Sequence, residues 1–193
     1  MGKGGDNCNM NDDREILSVD SPKTGENMIK GPYIVVTKNI TERWAIVALD
    51  YNDEPCLGIR WFVNENGSPF SRGYPVWFLL PSDLNTALLD GLELDSGFKE
   101  MFSIFLNKEE SRPTGSVLAV IGELKNLFVL NGYDEKRGFA ICYNQYDKIM
   151  KAQHAEQREK EIRECEKKIK QTESIFNARD SADKDKEIEE IWK

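Results

Sequence analysis

Short apolar runs separated by turn residues fill the chain from Pro32 to Leu80. Four of these runs are rich in β-branched and aromatic residues and predict strands: PYIVVTK, RWAIVALDY, CLGIRWFV and YPVWFLL. The connections between them are short and contain turn-forming residues, among them the Asn66-Gly67 pair. Short connections favour antiparallel neighbours, so the pattern predicts an antiparallel meander of four or five strands.

The pattern changes to helical spacing after the fourth run. The segment PSDLNTALLDGL, with Ser82 as N-cap, predicts a helix, and SGFKEMFSIFLN predicts a second. The run SVLAVIGELKNLFVLNGY fits a helix, although its second half also fits a strand, and GFAICYN predicts a strand. The predicted class is therefore α+β, with the sheet covered by two or three helices.

Both ends of the chain are polar and predict extensions around one domain. Residues 1–30 predict a flexible N-terminal arm, residues 31–150 an α+β globular domain, and residues 151–193 a charged C-terminal helical extension. From Gln145 onward the sequence contains no Pro or Gly, which predicts one long exposed helix. Half of its heptad seam is polar, so a long homodimeric coiled coil is not expected. The residues predicted to contact a protein partner are its apolar positions: Ile162, Ile169, Phe176, Ile188, Ile191 and Trp192.

Charge and composition narrow the classes of partner. The chain has 193 residues, with 34 acidic against 26 basic ones and a net charge of −8, which on average repels polyphosphate. A nucleic-acid site would need a local basic patch. No apolar run approaches the roughly 20 residues that cross a bilayer, and the first residues carry no hydrophobic signal region. We therefore expect a cytoplasmic protein without a membrane partner.

Candidate chemistry is sparse. The four cysteines are widely spaced and form no Cys-x-x-Cys pair, so we expect reduced thiols, no zinc site or other bound metal, and no disulfide framework. The single histidine, His154, lies in the charged segment, far from a candidate nucleophile. No glycine-rich phosphate loop is present, and no cofactor is predicted. The expectation is a protein that is not an enzyme, with an unrecognised carboxylate or cysteine site, such as one at Cys56, as the alternative.

The hairpin CLGIRWFVNENGSPFSRGYPVWFLL carries the candidate binding residues. Alternation places Leu57, Ile59, Trp61 and Val63 on one wholly apolar face, which belongs to the core. The other face combines arginines and aromatics into a possible basic-aromatic platform for unstacked bases: Arg60, Phe62, Arg72, Trp77 and, from the neighbouring strand, Trp44. In the alternative interpretation these aromatics are packed beneath the later helices.

Residues 44–92 also resemble the PC4-like single-stranded-DNA-binding coactivator domain. The matching elements follow the family's order: Ile59-Arg60-Trp61-Phe62, Asn66-Gly67, Ser71-Arg72-Gly73 and the helical segment from Pro81 to Leu92. The resemblance implies a sheet that dimerises through its helix and strand edges and binds single strands on one curved face. Where the family has several basic residues around the turn, this chain has only Arg72.

Two functions follow as expectations. The first is a non-catalytic intracellular interaction or adaptor protein, whose core and helical extension bind a protein partner or form a homo-dimer. Its basis is a compact core with polar extensions and no catalytic constellation. The alternative is a single-stranded nucleic-acid-binding protein of PC4-like type, accessory to transcription or DNA metabolism.

Overall fold

The protein has an α+β fold. A computed structural model describes residues 8–19, 29–63, 67–71, 74–107, 112–178 and 183–193. In these ranges the strands are β1 (Ile29–Asn39), β2 (Trp44–Tyr51), β3 (Glu54–Trp61), β4 (Phe70–Ser71), β5 (Tyr74–Pro75) and β6 (Phe78–Leu79). The helices are α1 (Asp13–Leu17), α2 (Asn85–Gly91), α3 (Ser96–Leu106), α4 (Gly115–Leu130), α5 (Glu135–Met150), α6 (Ala155–Asn177) and α7 (Lys184–Trp192).

Four strands form one antiparallel sheet in the order β1-β2-β3-β6, while β4 and β5 pair separately. The register places Trp44 opposite Trp61 and Ile59 opposite both Ile46 and Phe78. Residues that face each other across an antiparallel pair lie on the same side of the sheet. Trp44 and Ile46 are two residues apart on β2, so they also share a face. All five side chains therefore belong to one face.

The fourth predicted strand is shorter than its apolar run. The run YPVWFLL was expected to be one strand, but β5 and β6 are two residues each, and Val76 and Trp77 between them are not paired in a sheet. Pro75 has no N–H to donate to a ladder, which disfavours a continuous strand here. Trp77 instead turns into the core and is buried.

Three predictions for the later segments are corrected or resolved. The strand predicted for GFAICYN was wrong, because these residues lie in α5, which Asp134 caps by accepting a hydrogen bond from the Arg137 N–H. Cys142, Tyr146 and Ile149 are buried at helical spacing within it. The ambiguous run NLFVLNGY resolves as the end of α4 followed by a turn. The first predicted helix begins with a 3₁₀ turn at Ser82–Leu84 and becomes α-helical only at Asn85.

Part of the N-terminal segment that was predicted to be a flexible arm belongs to the core. Residues 8–19 contain α1, which begins at the N-cap Asp12, and the side chain of Ile16 is completely buried. Ile16 and Met10 pack in one cluster with Val35, Val47 and Leu49 of the sheet. Residues 1–7 and 20–28 of the predicted arm lie outside the described residues.

The chain divides into two compact units, residues 1–118 and residues 119–193, which differs from the predicted boundary after residue 150. The predicted extension packs with helices that precede it. Lys148 of α5 forms an ion pair of 2.7 Å with Glu161 of α6, and Arg137 forms one of 2.9 Å with Glu189 of α7.

The one long helix expected from Gln145 onward is divided in the structure. Residues 151–154 separate α5 from α6, and α6 ends at Asn177, before α7 begins at Lys184.

Candidate interaction surface

Three of the five residues predicted for the basic-aromatic platform are buried. Arg60 is 2% exposed, and Phe62 and Trp77 are also buried. Their rings meet edge to face with centroids 6.3 Å apart, and both belong to the core cluster that contains Ile16 of α1. The physical reason is that α1, from the segment predicted to be an arm, covers this face. Trp44 is half-buried on the opposite face, and Arg72 lies outside the described residues.

Arg60 holds the chain that follows the hairpin turn. One of its terminal nitrogens, Nη1, donates hydrogen bonds to the carbonyl oxygens of Pro69 at 2.5 Å and Val76 at 2.8 Å. Its guanidinium carbon lies 5.8 Å from the centroid of the Phe62 ring. A buried guanidinium that donates to main-chain carbonyls fixes a loop. It does not present charge to a phosphate.

Exposed aromatic side chains lie on the other face of the sheet. Phe78 is 55% exposed and Trp61 is 38% exposed, and Trp44 lies directly across from Trp61 in the register. We call Trp44, Trp61 and Phe78 the aromatic surface. Ile40, in the turn between β1 and β2 at the same end of the sheet, is also exposed.

Burial changes steadily along this face. On β2, Asp50, Ala48 and Ile46 are buried, while Trp44 at the other end is half-buried. On β3 the side chain of Leu57 is completely buried, Ile59 is half-buried and Trp61 is exposed. The face therefore has a covered end at Asp50 and Leu57 and an open end at the aromatic surface.

Tyr33 of β1 and two residues that follow the sheet close the covered end. Arg112 donates from Nη1 to Asp50 Oδ1 at 3.0 Å, and the Tyr33 hydroxyl donates to Asp50 Oδ2 at 3.0 Å. The rings of Phe105, in α3, and Tyr33 meet edge to face with centroids 6.4 Å apart. The Arg112 guanidinium carbon lies 5.6 Å from the centroid of the Phe105 ring. Burial and the Asp50 carboxylate raise the pKa of Tyr33 well above its usual value, which keeps the hydroxyl a donor.

The cysteine thiols lack the environment of reactive groups. Burial raises the pKa of Cys56 to about 12, with a further contribution from Asp50, and burial raises the pKa of Cys165 to about 12. Burial also raises the pKa of Cys142 and Cys8 above the usual value. A thiol with a raised pKa carries little thiolate at neutral pH. Among the described residues, no group of three or more His, Cys, Asp or Glu side chains is arranged to hold a metal ion.

The six apolar residues predicted to contact a partner are used inside the C-terminal unit. Ile162, Ile169, Ile188 and Trp192 are buried, and Phe176 and Ile191 are half-buried. The Trp192 indole donates to the Thr172 hydroxyl at 2.9 Å. Its ring packs in an aromatic cluster with Phe128, which also contacts Tyr133 and Phe176. These side chains hold α7 in place.

Sequence reasoning missed Trp61 and Phe78 as surface residues. Alternation assigned Trp61 correctly to the apolar face, but it carries no signal for which end of that face a helix covers.

Within the described ranges, no helix is long and apolar enough to cross a membrane. Comparisons with models of protein families, with curated proteins and with solved structures find no match for this chain.

Proposed function

We propose that this protein is a non-catalytic interaction protein, an adaptor that binds a partner macromolecule through the aromatic surface. The observation that carries the proposal is the exposure of Trp61 and Phe78 on one face of an otherwise packed sheet. Tryptophan is enriched among the residues that dominate binding energy at protein interfaces. Contiguous exposed apolar side chains on a folded domain mark interaction sites.

The position of the aromatic surface on a sheet supports this function. Trp44 and Trp61 are held by regular pairing of β2 with β3, and Phe78 by the pairing of β6 with Ile59. Aromatic side chains fixed on strands lose little conformational freedom when a partner binds. The surface is therefore organised before the partner arrives.

The remaining chemistry supports binding rather than catalysis. The thiols of Cys56 and Cys165 are protonated near neutral pH because their pKa values are raised. The buried carboxylate of Asp50 is occupied by the Arg112 guanidinium and the Tyr33 hydroxyl. These groups stabilise the fold around the sheet.

A variant with Trp61→Ala and Phe78→Ser tests the proposal. Partners are captured with the full chain by chemical cross-linking in cell extract and quantified by mass spectrometry. The matched control is Leu84→Ser, which removes an apolar side chain that is 54% exposed and lies outside the aromatic surface. We expect the double variant to capture at least about tenfold less partner protein than the wild type does. Equal capture by the wild type and the double variant would contradict the proposal.

A second candidate function is single-stranded nucleic-acid binding, as the resemblance to the PC4-like domain implies. The exposed indole of Trp61 favours it, because every base can stack on an aromatic face. This function predicts that an oligothymidine binds at low salt and that Trp61→Ala weakens the binding. The sheet of the PC4-like family would then have its counterpart in β1, β2, β3 and β6. Absence of binding at low salt would remove this candidate.

A further inference from the structure

We infer that the partner presents a basic segment to the aromatic surface, with arginine or lysine side chains beside apolar ones. The inference rests on the proposed function and names the chemistry of the partner. The net charge of the unit that holds the sheet supports it, and so do the hydrogen bonds of three cationic side chains at the same end of the sheet.

The acidic charge of the protein is concentrated in one unit. Residues 1–118 contain 11 Lys and Arg against 18 Asp and Glu, a net charge of −7, whereas residues 119–193 carry −1. The aromatic surface belongs to the first of these units. The average field around it therefore attracts cations and repels phosphate.

Three cationic side chains of the described residues at this end of the sheet donate to groups outside the aromatic surface. Lys38 donates to Asp13 Oδ1 at 2.8 Å and to the carbonyl of Asn11, both beside α1. Arg43 donates from Nε to the carbonyl of Phe62 at 2.8 Å and from Nη2 to that of Cys8 at 3.5 Å. Arg60 is buried on the α1 face, where it donates to main-chain carbonyls.

The open end consequently offers aromatic faces beside acidic charge. Glu42 is exposed in the turn that connects β1 to β2, next to the position where Trp44 begins its strand. Exposed indole and phenyl faces attract a guanidinium or ammonium group through their quadrupole. A carboxylate at the rim adds electrostatic complementarity to the same cation. Both features select a positively charged partner segment.

The same charges disfavour the other occupants. A nucleic acid would bring phosphates to a unit with a net charge of −7, which repels them on average. A second copy of this chain would bring a net charge of −8 against its own like charge. A basic protein segment supplies the opposite sign together with apolar side chains that cover Trp61 and Phe78.

Peptide binding to the full chain tests the inference. The probe is a short fluorescent peptide in which arginine alternates with leucine, and its controls replace arginine with glutamate or with serine. Binding is measured by fluorescence anisotropy at low and high salt. We expect saturable binding of the arginine peptide only, weakened by salt and weakened at least about tenfold by Trp61→Ala or Phe78→Ser. Leu84→Ser, which changes an exposed leucine outside the surface, should bind as the wild type does.

Three results would overturn the inference. One is equal binding of the arginine peptide to the wild type and to the Trp61→Ala and Phe78→Ser variants, which would reduce it to general charge attraction. Another is binding of the serine peptide as tightly as the arginine peptide. The third is absence of binding by the arginine peptide. If any of these occurs while the double variant still loses captured partners, the inference alone fails and the proposed function stands.

Discussion

Asp50 and Trp61 lie on neighbouring strands, at opposite ends of one face of the sheet. The charged residue of the two is buried, and the aromatic residue is exposed. Asp50 is 8% exposed, whereas Trp61 is 38% exposed. Ala48 and Leu57 next to Asp50 are completely buried, whereas Phe78, paired with Ile59 toward the other end, is largely exposed. Residue polarity alone does not predict which end is covered.

The difference between the two ends follows from what contacts them. Asp50 can be buried because Arg112 and Tyr33 satisfy both of its oxygens. Phe105 of α3 then packs on Tyr33 and completes the covered end. A buried charge with partners stabilises the fold, whereas a large aromatic side chain that stays exposed contributes less burial to the fold and is typical of binding sites.

The largest effect is expected from Leu57→Ala at the covered end. Leu57 is completely buried, so the truncation removes apolar contacts and leaves a cavity. We expect the free energy of unfolding to fall by about 2–5 kcal/mol. Urea denaturation followed by far-UV circular dichroism measures it. A loss below about 1 kcal/mol would show that this end is no better packed than the open one.

Arg112→Ala should have the next largest effect. It removes the donor to Asp50 Oδ1 and leaves a poorly exposed carboxylate with only the Tyr33 hydroxyl. We expect a loss of about 1.5–3 kcal/mol in the free energy of unfolding near neutral pH. Combining it with Asp50→Asn, which removes the charge, should cost less than the sum of the two single changes. Simple additivity would contradict a direct interaction between the two side chains.

The sequence predicted the sheet better than its covering. Period-two alternation located β1, β2 and β3 and sorted the side chains of β3 between the faces, because pleat geometry is local. It could not show that α1 covers Arg60 and Phe62, since the docking of Ile16 depends on tertiary packing. The strand predicted for GFAICYN was wrong because packing in a helix overrides the strand preference of β-branched and aromatic residues.

A smaller, pH-dependent effect is expected from Cys56, which lies opposite Leu49 near the covered end. Burial and Asp50 raise its folded-state pKa to about 12, whereas an unfolded thiol has a pKa of about 8.5. The folded chain therefore keeps a proton that the unfolded chain releases. Stability from this group is complete below about pH 8.5 and falls as pH rises toward 12, by at most about 1.4 kcal/mol per pH unit.

Urea denaturation at several pH values from neutral to alkaline measures this dependence. The control is Cys56→Ala, which removes the titrating group and should give a shallower decline of the unfolding free energy with pH. Cys165 also has a raised pKa, so a residual slope is expected in the variant. Identical slopes for the wild type and Cys56→Ala would mean that the thiol titrates alike in the folded and unfolded chains.

The smallest effect on stability is expected from Phe78→Ser at the open end. More than half of this side chain is already in water, so its removal should change the free energy of unfolding by no more than about 0.5 kcal/mol. The same change should reduce partner capture, which separates the two ends: substitutions at Leu57 affect folding, and substitutions at Phe78 affect binding. A loss comparable to that of Leu57→Ala would place Phe78 in the core and remove the contrast on which the aromatic surface rests.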